Sequence, residues 1–495
     1  MKIFFRCVAA AALFAIGAWG QPLDATVDTR AAARPFPHFW EQMFGSGRAV
    51  LSLRDDYRRD LRQVRDATGF RYVRFHGIFD DEMGVVQKDA QGRVTYNFSY
   101  VDQVYDWLVE NHVRPYVELS FMPKVLAASQ TPHAFWYKPL PNPPASYDAW
   151  GELIANFAQH VVRRYGIDEV SQWYFEVWNE PNIDFWTGDP KQSTYFELYD
   201  AAAKALKGVN ARLRVGGPST AQAAWVDAMI AHAGEAHVPL DFVSTHVYAN
   251  DTPKDVFGAP GPIDRFDMVA RSVKKVYDQV KRSAHPDLPI IWSEYNASYA
   301  NEPPVTDAAF MGPWLANNIR LCDGMQSMMS YWTFSDVFEE QGVVKTPFYG
   351  GFGLLAERSI PKPAYNAFVL LHRLGTQRIP VAAPWVLATR GDGGKLAIAA
   401  WNYAPPEDAG HEVSARIRLT GPHGAHARIQ TVDGRRGSPL PAWESMGRPA
   451  FPSPAQIVQL RRAAVMPAPA DIVISGDTIQ FRLAPHALAL IEITP

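Results

Sequence analysis

Two glutamates stand where acid–base chemistry on a sugar would need them. Glu180 falls in Trp178-Asn179-Glu180-Pro181, after the β-rich run Trp173 to Val177, and Glu294 follows the run Pro289 to Ser293. Proline has no N–H to give a strand ladder, so Pro181 stops its run and leaves Glu180 at a strand end. A carboxyl there can protonate a leaving oxygen, and an amide such as Asn179 can bind a hydroxyl. Ring faces such as Phe185 and Trp186 can cover the C–H side of a sugar, although both could equally be packed in a core. Asn-Glu-Pro alone is short enough to be a solvated loop among core aromatics. The second carboxylate, in the same kind of place far along the chain, is what lifts it above that reading.

The elements that must position these residues alternate along the chain. Eight β-rich runs occur: Pro37 to Gly45, Phe70 to Phe75, Arg114 to Leu119, Trp173 to Val177, Arg214 to Gly216, Asp241 to Val247, Pro289 to Ser293 and Gln326 to Trp332. Each after the first is preceded by a helix-like stretch, which predicts a (β/α)8 barrel of the α/β class. No glycine-rich phosphate loop follows any run, as a doubly wound sheet would require. In such a barrel the polar residues at the C-terminal strand ends converge. They are His76 after the second strand, Asn179 and Glu180 after the fourth, and His246 with Tyr248 at the sixth. Glu294 follows the seventh, and Trp332 closes the eighth, with Glu339 and Glu340 beyond it. Ends four and seven face one another, the disposition that glycoside hydrolysis asks of its two carboxylates.

The 495 residues exceed one ordinary domain. Past Leu374 helical periodicity gives way to short β-rich runs between Gly/Pro turns, which predicts a β-sandwich over 375–495 beside a catalytic barrel over 21–374. A formal net charge of −3 argues against nucleic acid or an anionic membrane as partner. Residues 1–20 have a positive start (Lys2, Arg6), an apolar run too short to span a bilayer, and a small-x-small end at Ala18-Trp19-Gly20. They read as a bacterial-type secretory signal and predict a periplasmic or secreted protein. Of the two cysteines, Cys7 lies in that leader, and Cys322 is expected as an inert buried thiol. Zinc-type Cys/His spacing is absent, and neither a metal nor an organic cofactor is implied. Oligomeric state is not legible.

FEVWNEPN at 175–182 and IIWSEYNAS at 290–298 resemble the two signature stretches of glycoside hydrolase family 39, which includes β-xylosidases and α-L-iduronidases. YVRFHGIFDDEMGV at 72–85 and STHVY at 244–248 match as well, and the likeness runs in order over roughly residues 36–374. The resemblance implies a retaining exo-glycosidase with Glu180 as acid/base, Glu294 as nucleophile and an oligosaccharide or glycoside as substrate. Asn179 is then similar to an asparagine that binds the sugar 2-OH. His76, His246, Tyr248, Trp332, Phe185, Glu339 and Glu340 are implied around the substrate, His246 and Tyr248 either in contact with the sugar or orienting Glu294. Adjacent strand residues point opposite ways, so only one of Glu339 and Glu340 is expected to reach the sugar. Arg74 is expected to hold a carboxylate. A β-D-xyloside is the expected glycone, with arabinosides, galactosides, glucosides and iduronides as alternatives. An iduronide would need a cation for its carboxylate, for which Lys345 and Arg358 are in range. An endo-acting hydrolase and a non-catalytic carbohydrate-binding protein are the remaining alternatives.

Overall fold

A computed structural model describes residues 22–494; the leader residues 1–20, with Cys7, lie outside that range. Eight parallel strands close into a barrel. In chain order they are β1 (Met43–Gly45), β2 (Tyr72–Phe75), β3 (Arg114–Leu119), β4 (Tyr174–Val177), β5 (Arg214–Thr220), β6 (Phe242–Tyr248), β7 (Ile290–Asn296) and β8 (Met328–Tyr331), with β8 pairing back to β1. The first strand is shorter than expected because residues Phe39–Glu41 form a 3-10 turn ahead of it.

Side chains alternate across each strand, so one set fills the barrel interior. Met43, Tyr116, Phe242, Ile291 and Met328 form an apolar layer there, with Tyr72 and Tyr174 against it. Toward the C-terminal strand ends the filling becomes polar: Arg74, Glu118 and Glu176 are 0–1% exposed. Irregularities of register sit beside His246 and Glu294, between Thr245 and His246 on β6 and between Trp292 and Tyr295 on β7. An extra residue in a strand re-aims the side chains next to it, here His246 and Glu294.

Apart from two short ribbons, Val86–Lys88 with Val94–Tyr96 and Leu355–Ala356 with Ile360–Pro361, the remaining strands pair in two antiparallel-rich sheets of seven and four strands, the expected sandwich. Residues 23–35, counted with the barrel from sequence alone, belong to those sheets instead. Leu23–Asp28 pairs with Val413–Thr420, and Arg34–Pro35 with Gln377–Arg378. Val27 is fully buried in the sandwich core beside Ile417 and Ile479, which explains why so short a segment crosses to the other domain. The sandwich also carries two helices, Leu440–Ser445 and Pro454–Ala463. Leu460 and Trp443 of this excursion pack on Phe348 and Ile360 of the chain that follows β8.

Candidate active site

The β4 end is built by packing. Trp178 is fully buried, donates its indole N–H to the Phe185 carbonyl at 2.7 Å and packs edge-on against Trp186. These two rings are core, and of the aromatics in this stretch only Phe185 reaches the cavity wall. Glu180 sits at φ 47, in the left-handed region that non-glycine residues seldom occupy. Its N–H is tied to the Ser219 carbonyl of β5 at 2.8 Å, and the Asn182 amide bridges both ways to Ala221. The neighbouring strand thus fixes the turn that presents the carboxyl.

Glu180 and Glu294 meet across a cavity of about 290 Å3 whose wall also includes His76, Asn179, Tyr248 and Trp332. An oxygen of each lies within 4.8 Å of the other, with His246 Nδ1 inside the same radius. Glu294 is held on both oxygens: Arg74 Nη1 donates to Oε1 at 2.6 Å and the Tyr248 hydroxyl to Oε2 at 2.6 Å. The Arg74 guanidinium, fully buried, also reaches Glu176 (2.6 Å), Glu118 (2.7 Å) and the Asn179 side-chain oxygen (2.9 Å). The expected carboxylate clamp therefore engages three carboxylates at once and orients the amide beside Glu180.

These surroundings separate the two glutamates. Burial and the charge of Glu294 push the Glu180 carboxyl well above the usual carboxylate range. Burial raises Glu294 too, but Arg74, His76 and the Tyr248 hydroxyl pull against it. The arrangement keeps a proton on Glu180 and charge on Glu294. His246 was expected either to touch the sugar or to orient Glu294; it is fully buried, does not line the cavity, and stands with Nδ1 3.6 Å from Glu294 Oε1. Burial, with Arg74 and His76 nearby, lowers its pKa far below the usual imidazole value, so the ring is neutral. It links Glu180 (3.0 Å) to Ser293 (3.1 Å).

His76 lies on the wall and stands against Trp332, ring centroids 4.9 Å apart. Burial disfavours a charge on it, yet Glu118 at 2.7 Å outweighs this and raises its pKa. The Trp332 ring occupies space above Gly45, where a Cβ would come within 2.0 Å of it. Glu339 and Glu340 diverge. Glu340 lines the cavity, 3.5 Å from His76, and burial pushes it up to about 8. Glu339, at φ 61, turns away to Arg54 at 2.5 Å. It lines a separate cleft of about 350 Å3 together with Lys345 and Arg358, so neither of those cations reaches the Glu180–Glu294 cavity. Sequence reading missed Gln222, Asp251, Tyr299 and Phe352 on the wall. Asp251, raised to about 7 by burial, accepts the Tyr248 N–H at 2.8 Å. Phe135 and Asp251 come from the loops at 132–146 and 251–264, which wall the cavity in.

Comparison with known proteins adds that the sequence model of glycosyl hydrolases family 39 matches residues 24–478. The chain belongs to this family. It is accordingly a glycoside hydrolase whose substrate is a glycoside. It is 35% identical over 473 residues to a β-xylosidase of Caldicellulosiruptor saccharolyticus, covering 92% of this chain and 95% of that one. A solved family 39 β-xylosidase from Caulobacter crescentus superimposes with a TM-score of 0.84 at 33% identity, over 95% of this chain and all of the other. An α-L-iduronidase of Canis lupus familiaris is 24% identical over 535 residues, covering 94% of this chain and 77% of that one. No helix of this family 39 chain, among the described residues, is long and apolar enough to cross a membrane.

Two groups of His and Glu among the described residues come close enough to chelate an ion: Glu180–His246–Glu294, and His38–Glu41–His372. In the first, no buried side-chain N or O lacks a hydrogen-bond partner. The second differs in this respect.

Proposed function

We propose that the chain is an exported, exo-acting, retaining β-xylosidase that removes residues from the non-reducing ends of plant-type xylo-oligosaccharides. The observation that carries this reading is that an oxygen of Glu180 and an oxygen of Glu294 come within 4.8 Å of one another in a walled cavity, which places the two carboxyl groups nearer the retaining than the inverting spacing. Retaining pairs stand roughly 5–5.5 Å apart, whereas inverting pairs leave roughly 6.5–9.5 Å for a water. A cavity of about 290 Å3 is at the small end of ligand pockets, roughly 300–1,000 Å3, and suits one terminal sugar better than a polymer.

The chemistry follows from the two environments. Glu294, charged and clamped by Arg74 and Tyr248, attacks the anomeric carbon while Glu180 gives its proton to the departing oxygen. The C–O bond to the aglycone breaks as the bond to Glu294 forms. Glycosylation removes the charge on Glu294, which lowers the pKa of Glu180 and readies it to take a proton from water. Water then attacks the anomeric carbon and releases Glu294. Asn179, oriented by Arg74, is placed to bind the sugar 2-OH.

Support for xylose as the glycone comes from the β-xylosidase relatives and from the wall, which carries no Lys or Arg among the described residues to pair a uronate. Export rests on the leader at residues 1–20. A panel of nitrophenyl glycosides (β-xyloside, α-L-arabinoside, β-glucoside, β-galactoside, α-L-iduronide) tests the assignment. The β-xyloside should be cleaved fastest; a higher kcat/KM on any other member would reassign the glycone.

A further inference from the structure

His38 and Glu41 lie three residues apart around the turn that leads into β1, and His372 follows the last barrel helix, Pro363–Leu371. Both imidazoles aim Nδ1 at the same carboxylate oxygen: His38 is 2.6 Å and His372 2.9 Å from Glu41 Oε1. Glu41 is 4% exposed, and its only ion-pair partners among the described residues are these two rings. Its second oxygen, Oε2, is buried with no hydrogen-bond partner. An unsatisfied buried carboxylate oxygen is costly.

We propose that His38, Glu41 and His372 form a binding site for a zinc-class divalent transition-metal ion. Two imidazoles and one carboxylate are a ligand set such ions accept in tetrahedral geometry, with water in the fourth position. The His372 side chain is 43% exposed, which leaves the ion a solvent-facing side for that water and a path in. The ligand atoms now stand at hydrogen-bond spacing. Metal–ligand bonds of about 2.0–2.1 Å would spread them by roughly half an ångström, which the half-exposed His372 ring can accommodate.

The place gives the site its role. Glu41 precedes β1 and His372 ends the last helix, so the group lies at the N-terminal face of the barrel, opposite the Glu180–Glu294 cavity. Immediately beyond it Phe36 N–H bonds the Thr376 carbonyl at 2.7 Å, and Arg34–Pro35 pairs with Gln377–Arg378. A bound ion would clip chain segments 331 residues apart at the seam where barrel and sandwich meet. Closing so long a loop favours the folded state without touching sugar chemistry.

The test uses tag-free full-length protein, stripped with chelator and dialysed against Zn2+, for wild type and His372→Ala, with Glu41→Gln as a second variant. Expected for wild type is one tightly held zinc and a Tm rise of roughly 3 °C at a hundredfold excess over Kd. His372→Ala should fold, keep its kcat/KM on a glycoside and lose both the zinc and the Tm rise; Glu41→Gln should lose them as well. Absence of bound zinc in wild type overturns the proposal. So does zinc that inhibits hydrolysis and persists in His372→Ala, because it would then sit at Glu180, His246 and Glu294.

Discussion

Arg74 Nη1 lies 2.6 Å from Glu294 Oε1, and the guanidinium that makes this contact is fully buried. Its remaining donors reach Glu176, Glu118 and Asn179, so one planar fork fixes Glu294, the proposed nucleophile, and the neighbour of Glu180, the proposed acid, together. A lysine offers a single charged point and cannot span these partners. Arg74→Lys should therefore lower kcat roughly 100-fold, the cost of displacing a reacting group by about 1 Å. Steady-state kinetics with a Tm check on the variant measures this; unchanged kcat in a folded Arg74→Lys would contradict it.

Tyr248 donates to the other oxygen of Glu294 at 2.6 Å, a bond that favours the carboxylate over the carboxylic acid. Tyr248→Phe removes it. The Glu294 pKa should then rise, and the acid limb of the kcat/KM profile should move to higher pH. A fall in kcat of about tenfold should accompany the shift, the usual worth of a hydrogen bond to a charged group. A limb that stays in place would show that Arg74 alone sets the nucleophile.

Glu180 is held protonated by burial and by the charge on Glu294. Its loss should matter in proportion to the leaving group's need for a proton. Glu180→Ala should lose roughly 10²–10⁴ on xylobiose and far less in the first step on a dinitrophenyl xyloside, and the basic limb of its pH profile should vanish. Equal losses on both substrates would deny Glu180 the role of acid.

Much of this was legible before the fold was seen, because strand ends carry chemistry in a barrel and the eight runs could be counted. Glu339 and Glu340 do part, Glu340 to the cavity and Glu339 to Arg54, but not by strand alternation: neither lies in a strand, and the backbone turns at Glu339 with φ 61. What escaped was non-local. His246 reads equally as a sugar contact or as a support for Glu294, and the irregular register beside it, which turns the ring away from the wall, leaves no local signal. Residues 23–28 look like a lead-in to the barrel, but their partners lie near residue 415, and pairing across such a distance leaves no local signal. Asp251 and Gln222 are loop residues of ordinary type, brought to the wall by loop paths that periodicity does not encode.

Glu340 makes stability pH-dependent. Burial lifts its carboxyl from 4.5 to about 8. Between those values the unfolded chain gives up the proton while the folded chain keeps it. The folded state then binds more protons, and stability falls as pH rises through this window. Glutamine imitates the protonated acid at every pH, so the Tm of Glu340→Gln relative to wild type should climb from pH 4.5 to 8. Glu339→Gln should leave KM near the wild-type value, because its side chain faces Arg54. Thermal melts across pH check the first point, and a flat difference for Glu340→Gln would contradict it.

The central claim is that Glu294 forms a covalent bond to the sugar. A 2-deoxy-2-fluoro-β-xyloside with a dinitrophenyl leaving group slows the second step, so the glycosyl-enzyme accumulates. Digestion and mass spectrometry of the trapped protein should place one fluoroxylosyl group on Glu294, and Glu294→Ala should take up none. A label on any other residue, or turnover by wild type that yields α-xylose as the first product, would contradict the account.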